Sequence, residues 1–532
     1  MNYHQWFNKC TTTIHNDVKF AEYPYRAHPI HTSNQHMKYF LPILIALSAL
    51  AACGNEDELY TEPDAMLRFS VDTLRFDTVF TQLGSATRSF KIYNPYDETV
   101  IINSIRVEGQ TAGKFRINVD GLPVNGATSD IRVLPNDSIY VFGEVTIDPD
   151  APLSVSPFVI EDRIVFETNG NEQTVYLEAF GQNANYLPGR FFGDSIVTYA
   201  GNFSFDDPKP YVIYGIVLFA SGTITMPAGA QIYVHGGVTQ FEFDPNEPPS
   251  ILQTGLILFG PQATLKIEGT LEEPVVIQTD RLEPEFDDIA SQWVGLRLQG
   301  KNNSIEHATI KNSVVGVYLD STAELSIKNT QIFHTGSTGL FADFANVSVE
   351  NSLFHSNGGS AVTIIHGGDY DFSYTTLASY GVDASALTLS NGICYDGLLC
   401  ESFDIKPLKV DIKNSIVFGS RADEISLGDF TGGQEPSFFD LSMENTIVRV
   451  RDLIDPDELG SYPDFFTDIC DPCFNATNQD ALFVDPSEND YRLDTLSIAE
   501  GYAVPLNIAT DLVGNPRDAD NPDAGAYEYL PE

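Results

Sequence analysis

The chain has few basic residues: 29 lysines and arginines stand against 74 aspartates and glutamates, a net charge of −45 over 532 residues. This charge would repel DNA or RNA, so nucleic acid is not an expected partner. None of the acidic clusters has the spacing of an EF-hand or a zinc protease, and no glycine-rich phosphate loop is present. Hydrophobic residues make up 42% of the chain, so a folded protein is expected.

Cysteine is also scarce, with six residues in the whole chain. Apart from Cys10 and Cys53, four remain: Cys394, Cys400, Cys470 and Cys473. An even number in an exported protein favours disulfides, and the local pairs 394–400 and 470–473 are the simplest of three connectivities. A redox or zinc motif at Cys470-Asp-Pro-Cys473 is the alternative, but neither a thioredoxin-like context nor further metal ligands are visible.

Long apolar runs are missing as well. The longest one follows Met37 and Lys38 and spans about a dozen residues, which is too short to cross a bilayer. A single basic residue, a short apolar run and closing small residues are typical of a secretory signal peptide, predicted here over 37–52. We therefore expect translation to start at Met37, with residues 1–36 upstream of the natural protein.

The end of this segment, Leu50-Ala51-Ala52-Cys53, resembles a bacterial lipobox. The acidic residues 54–58 after it are similar to the surface-export signals of Bacteroidota lipoproteins. The resemblance implies cleavage before Cys53, lipid attached to Cys53, and a chain held at the outer membrane or cell surface by this anchor. Residues 53–64 would form a polar tether.

Residues 65–182 contain short runs with alternating apolar and polar residues, separated by Asn, Asp, Gly and Pro turns. This pattern predicts a β-sandwich. It resembles the immunoglobulin-like modules placed near the membrane in bacterial surface proteins, which implies a spacer.

One six-residue pattern then recurs along the chain, beginning at Ile305, Ile327, Val349, Phe372, Ile412 and Met443. The first three starts are 22 residues apart and the next follows after 23. Such a period with no helical pattern indicates a solenoid of stacked coils. Its third position is mainly asparagine, at Asn329, Asn351, Asn414 and Asn445. This resembles the asparagine ladder of right-handed parallel β-helices, so we predict an all-β chain with a β-helix over 188–479.

A second series lies in phase with the first and predicts the next strand of each coil. Alternation places one set of residues inward: Leu296, Leu298, Val317, Leu319, Leu340, Ala342, Val362, Ile364, Leu387 and Leu389. The outward set contains Arg297, Tyr318 and Phe341, followed by Thr363 and Thr388, and a neighbouring set contains Gln299, Asp320 and Asp343.

Aromatic rings beside carboxylates and amides suit the apolar faces and hydroxyls of sugars. We therefore hypothesise a glycan-binding strip at Arg297, Tyr318, Phe341, Gln299, Asp320 and Asp343. The alternative is that the aromatic side chains stack on one another and the aspartates cap turns. The long segment after Ser390 is expected to form a wall beside this strip.

Many β-helix proteins are polysaccharide lyases or glycoside hydrolases, so an enzyme is the competing prediction. A lyase needs a base and a cation, often calcium, and a hydrolase needs a carboxylate pair such as Asp320 and Asp343. The characteristic motifs of polygalacturonases are absent from this sequence. His307, His334 and His355 are interpreted as structural, and His366 as a loop residue.

Residues 480–532 resemble the choice-of-anchor Q module that ends many secreted bacterial β-helix proteins. The resemblance rests on Phe483-Val-Asp485-Pro486, Asp490-Tyr491-Arg492-Leu493, a segment from Asp511 to Arg517, and Asp523-Ala-Gly525-Ala526-Tyr527-Glu528. It implies a cap on the last coil. Taken together, the sequence favours a lipid-anchored surface protein with a non-catalytic role in binding carbohydrate or another surface ligand.

Overall fold

The computed structural model describes residues 58–80, 87–108, 115–124, 126–146, 158–182, 184–187, 196–241, 250–282, 284–396, 400–458 and 461–531. The predicted translation start, signal peptide and lipid-bearing Cys53 lie outside these residues and stay predictions. Among the described residues, no helix has the length and apolar character needed to cross a membrane.

Two five-stranded sheets form the N-terminal part of the described chain. The first consists of Arg68–Phe69, Arg88–Tyr93, Ser138–Val145, Phe115–Val119 and Leu122–Val124 in spatial order. The second consists of Thr73–Phe80, Asn171–Gln182, Phe158–Thr168, Ser104–Glu108 and Ala127–Thr128, and a small ladder joins Val100–Ile102 to Ile131–Val133. Alternate residues of both sheets share one apolar core that includes Phe76, Phe90 and Phe166. The immunoglobulin-like assignment stays a prediction.

From Asn185 onward, parallel strands stack in three columns. The first column contains Ile196–Ala200, Ile216–Pro227, Leu256–Glu268, Gly295–Leu298, Val317–Leu319, Leu340–Glu350, Val362–Ser373, Leu387–Ser390 and Ile425–Gly428. Its long strands continue round a corner into the second column, with Phe203–Ser204, Asn303–Glu306, Glu324–Lys328, Leu408–Lys413 and Phe439–Glu444. The third column contains Asn185–Leu187, Tyr211–Tyr214, Gln231–His235, Val275–Thr279, Ala308–Lys311, Gln331–Phe333, Leu353–His355, Thr376–Ser379, Ile416–Gly419, Thr446–Val448 and Cys473–Asn475.

The remaining regular elements are short. Three hairpins pair Val238–Phe241 with Ser250–Gln253, Gly392–Cys394 with Phe403–Ile405, and Phe483–Asp485 with Asp490–Leu493. Single helical turns lie at Pro284–Phe286, Pro436–Phe438, Phe465–Asp468 and Pro486–Glu488. The described chain is therefore all-β, as predicted.

The repeat has the predicted register. Ile305 pairs with Ile327, Ile327 with Val349, and Val349 with Phe372 on successive coils. Phe372 then pairs with Ile412, and Ile412 with Met443. Each of these side chains is buried in one continuous apolar core. Coils that cannot bury their own apolar residues are thus stabilised by their neighbours.

The asparagine position marks the corner between the second and third columns. His307, Asn329, Asn351, Tyr374, Asn414 and Asn445 all have left-handed backbone angles, with φ between 46° and 52°. Asparagine tolerates this conformation better than most residues. The Asn351 amide donates to Asn329 Oδ1 over 2.6 Å, and Asn329 Nδ2 lies 3.2 Å from His307 Nε2. The predicted ladder is confirmed for these three coils.

Beyond Asn351 the C-terminal segment replaces the ladder contacts. The Arg517 guanidinium donates to Asn351 Oδ1 over 2.7 Å and lies 4.0 Å above the Tyr374 ring. Asn414 Nδ2 donates to the carbonyl oxygen of Val504 over 2.6 Å. Residues 480–531 therefore pack along the flank of several coils. They share a core there with outward residues of the third column such as Leu353 and Ile416.

The end of the coil core is covered by a different segment, which lies between the last strand of the second column and the last strand of the third column and includes Leu453 and Phe465. Phe465 is fully buried within that core, and Leu453, Tyr462 and Phe466 pack against it.

The two disulfides are the predicted local pairs, Cys394–Cys400 and Cys470–Cys473. The second of these fixes the chain where it leaves the covering segment for the last strand of the third column.

The buried Arg517–Glu528 pair gives a test of how the C-terminal segment is held. The two side chains are 2% and 6% exposed and 3.2 Å apart. We expect Arg517→Ala to reduce the free energy of unfolding by about 3–5 kcal/mol, because Glu528 would remain buried without its partner. Chemical denaturation and proteolysis of residues 480–531 measure this. Arg492→Ala is the control, since its pair with Asp490 is partly exposed and should contribute less than about 1 kcal/mol.

Glu424 gives a test based on pH. It is fully buried, and its carboxylate accepts hydrogen bonds from the backbone N–H groups of Ala386 (2.9 Å) and Arg421 (2.6 Å). Burial raises its pKa from 4.5 to about 7. Because the pKa is higher in the folded state than in the unfolded state, the folded protein holds the Glu424 proton more tightly. The resulting contribution to stability is fully present below pH 4.5 and is lost as the pH rises to about 7.

The difference in unfolding free energy between the native protein and Glu424→Gln should therefore change by about 3 kcal/mol across this window. Denaturant titrations at several pH values measure it. A difference that does not vary with pH would contradict the assignment.

Candidate functional site

The predicted strip lies on the outward side of the first column. Arg297, Tyr318 and Phe341 are paired with one another on successive coils, and Thr363 and Thr388 follow in the same register. The predicted inward residues of these strands are all buried. The alternation inferred from sequence is therefore confirmed, and the six proposed site residues lie on three adjacent coils.

Within the strip, the side chains bind one another. Asp320 accepts two hydrogen bonds from the Arg297 guanidinium, at 2.6 and 2.9 Å, and a third from Gln299 Nε2 at 2.8 Å. The same guanidinium lies 4.8 Å from the centroid of the Tyr318 ring. Tyr318 in turn stacks on Phe341, with centroids 4.7 Å apart and an angle of 16° between the rings.

This arrangement limits what the strip can do. Arg297 comes from the coil before Tyr318 and Phe341 from the coil after it, so both flat faces of the Tyr318 ring are occupied. A sugar cannot stack on that ring and would meet its edge instead. The carboxylate of Asp320 is already neutralised by a bidentate arginine contact, which is a strong form of ion pair.

Asp343 belongs to a second network at the corner of the coil. Its Oδ1 lies 3.1 Å from His366 Nδ1, and His366 Nε2 lies 3.0 Å from Asp404 Oδ2. Lys406 lies 2.9 Å from the same Asp404 oxygen. These contacts to Lys406 and His366 lower the pKa of Asp404.

The position of His366 explains the 23-residue step between Val349 and Phe372. Asp343 pairs with Ile365 and Ala345 with Gly368, so Phe344 alone is opposite His366 and Gly367. The 23-residue step therefore contains a bulge here, inside the strand Val362–Ser373 rather than in a loop as predicted. Gly368 has φ of 121°, and a Cβ on it would lie 2.3 Å from the carbonyl oxygen of Ala345.

The segment after Ser390 forms the expected wall. It is the hairpin of Gly392–Cys394 and Phe403–Ile405, closed by the Cys394–Cys400 disulfide. Asp404 attaches it to His366, and it carries Phe403, whose ring is 6.2 Å from that of Phe430 at an angle of 53°. Phe403 is 51% exposed and Phe430 36%. These rings could not be predicted from the repeat because they lie outside it.

The other candidate residues have separate surroundings. Among the described residues, no group of three or more His, Cys, Asp or Glu side chains is placed to hold a metal ion. His307 lies in the ladder as predicted. His355 is buried, which lowers its pKa to about 3, and it stacks on Phe333 with centroids 4.7 Å apart. Both features support a structural role for His355.

Comparisons with known proteins agree with this architecture in one region. The family model for a right handed beta helix region matches residues 281–393, which include the strip and the start of the hairpin. That region is a right-handed β-helix. A search of curated proteins finds no match to the chain.

Solved structures give weak likenesses. A family 123 glycoside hydrolase from Clostridium perfringens is 8% identical, with a TM-score of 0.16, over 22% of this chain and 25% of that one. This chain thus spans a quarter of that protein's length. The catalytic unit of a thermostable alpha-1,3-glucanase from Streptomyces thermodiastaticus is 12% identical, with a TM-score of 0.21, over 68% of this chain and 74% of that one. TM-scores this low do not support assigning the activity of either protein to this chain.

The His366 contacts predict how the hairpin is held. We expect His366→Asn, which tolerates the left-handed backbone there, to increase amide hydrogen exchange in residues 400–406 about tenfold, because the contact between the imidazole ring and the Asp404 carboxylate is lost. Lys406→Ala is the control and should change exchange by less than about threefold, because its pair with Asp404 is partly exposed. Equal exchange in all three proteins would show that His366 does not anchor the hairpin.

Proposed function

We propose that this chain is a lipid-anchored cell-surface protein that binds carbohydrate without altering it. The binding surface comprises the outward side of the first column from Arg297 to Thr388 together with the Phe403–Phe430 ring pair. The membrane attachment rests on the lipobox-like segment ending at Cys53 and is tested separately, by labelling with a palmitate analogue.

The ring pair is the observation that carries the proposal. Two exposed aromatic rings, tilted rather than stacked on each other, leave apolar ring surface open to solvent beside a polar strip. Exposed aromatic surface of this kind suits the apolar face of a sugar ring.

Asp320 and Asp343, the two carboxylates of the strip, are already hydrogen-bonded to neighbouring side chains, which favours binding over catalysis. A retaining hydrolase needs one free carboxylate nucleophile and one protonated carboxylic acid. Asp320 is fixed by Arg297 and Gln299, and Asp343 by His366. Both carboxylates are therefore already engaged by neighbouring side chains, which supports the non-catalytic proposal.

The activity test is a screen of the purified protein against neutral and acidic polysaccharides, with and without calcium. Retention on a polysaccharide without any product supports binding. Ultraviolet absorbance of an unsaturated product would show a lyase, and new reducing ends would show a hydrolase; either would overturn the non-catalytic proposal.

The site itself is tested with the double variant Phe403→Ala and Phe430→Ala. Both rings are exposed, so we expect unchanged unfolding and a loss of polysaccharide affinity of about tenfold, because the apolar contact with the sugar is removed. Tyr176→Ala is the matched control, since Tyr176 is a 57% exposed aromatic residue on an N-terminal sheet. Unchanged affinity in the double variant would exclude this surface.

A further inference from the structure

A cleft with a volume of about 660 Å³ lies between the turns that follow the third column and the C-terminal segment. The turns contribute His334, Asn357 and Tyr380, and the C-terminal segment contributes Ser487 and Asn489. It is separate from the strip and the ring pair, which lie on the first column and the hairpin. Its volume falls within the range of small-molecule sites.

The coil turns beside the cleft contain glycine at equivalent positions. Gly336 and Gly358 occupy the same place on successive coils, and a Cβ on Gly358 would lie 2.5 Å from the carbonyl oxygen of Gly336. Gly381 follows on the next coil, where a Cβ would have no atom within 4 Å. Glycine at 358 therefore lets adjacent coils approach closely, whereas a side chain at position 381 would extend into open space.

Two buried side chains lining this cleft have polar atoms without a hydrogen bond. His334 is 7% exposed and its Nδ1 has no partner; the Asp288 carboxylate is 3.4 Å away. Asn357 is 3% exposed; its Oδ1 accepts from Thr335 over 2.7 Å, whereas its Nδ2 has no partner. Buried polar atoms of this kind are normally satisfied by water or by a ligand.

The charges of the lining select the ligand class. Among the described residues that line the cleft, Asp288 alone carries a full charge at neutral pH. Burial lowers the pKa of His334, so its ring is neutral there. With a carboxylate and no lysine or arginine, the cleft disfavours anions such as uronates. Amide, imidazole, hydroxyl and carboxylate groups beside the partly exposed Tyr380 ring match the hydroxyls and apolar face of a neutral sugar.

We propose that this cleft is a second ligand site, which binds a neutral sugar of one or two residues through His334, Asn357 and Asp288. The site does not depend on the proposed function of the first column, because it shares no residue with it. It would let one chain hold a glycan end in the cleft independently of any contact at the strip.

The test is saturation-transfer NMR and calorimetry of the purified protein with cellobiose, maltose, lactose and digalacturonate. We expect at least one neutral disaccharide to bind and digalacturonate to bind at least about tenfold more weakly. His334→Asn keeps a residue suited to φ of 50° and should reduce affinity about tenfold. Ala290→Trp, which fills the cleft and leaves its polar groups in place, should abolish binding.

Asp383→Asn is the control, since Asp383 is 99% exposed on a neighbouring turn and does not line the cleft. Three results would overturn the site: no binding of any neutral disaccharide, equal binding by the native protein and Ala290→Trp, or stronger binding of digalacturonate. Binding lost in the Phe403/Phe430 double variant but kept in His334→Asn would assign the sugar to the other surface. The two proposals can therefore fail separately.

Discussion

The structure depends on keeping successive coils in parallel register. Because side chains alternate between inward and outward along a strand, a shift of one residue would expose every apolar residue of that coil. The left-handed corner at Asn329, Asn351 and Asn414 fixes where each coil turns, and amide hydrogen bonds join part of that corner from coil to coil. Where the spacing rises to 23 residues, the bulge at His366 and Gly367 absorbs the extra residue outside the core.

This register also determines which outward side chains remain free to contact a ligand. Outward residues at equal positions lie one strand spacing apart, so charged and aromatic side chains on adjacent coils meet one another first. Arg297, Asp320 and Tyr318 show the result, since their hydrogen-bonding and stacking capacity is used within the sheet. Open polar and aromatic surface occurs instead where the repeat is interrupted. The hairpin after Ser390 and the cleft beside the C-terminal segment are two such places.

The periodic features could be predicted from sequence, and the non-periodic contacts could not. The recurring six-residue pattern predicts the strand pairing from Ile305 to Met443, alternation predicts the inward set, and the two local disulfides are the simplest of the three possible connectivities. By contrast, Arg517 reaches Asn351 across 166 residues, and Asp404 reaches His366 from an excursion of irregular length. No period links these positions. For the same reason, the sequence suggested a cap on the last coil, whereas residues 480–531 lie along the flank.

The flank position makes the C-terminal segment part of the solenoid. Gly525 donates its N–H to the carbonyl oxygen of Asn414, and Ala526 donates to Thr376 Oγ1, so the segment bonds directly to coil corners and strands. Gly525 has φ of 90°, and a Cβ on it would lie 2.6 Å from Ile416 Cδ1, which together explain the glycine in that motif. Further along, Asn489 accepts from Ser356 and forms one wall of the cleft. Loss of the Arg517 contacts would therefore loosen the cleft as well as the segment, which couples the stability of the flank to the second ligand site.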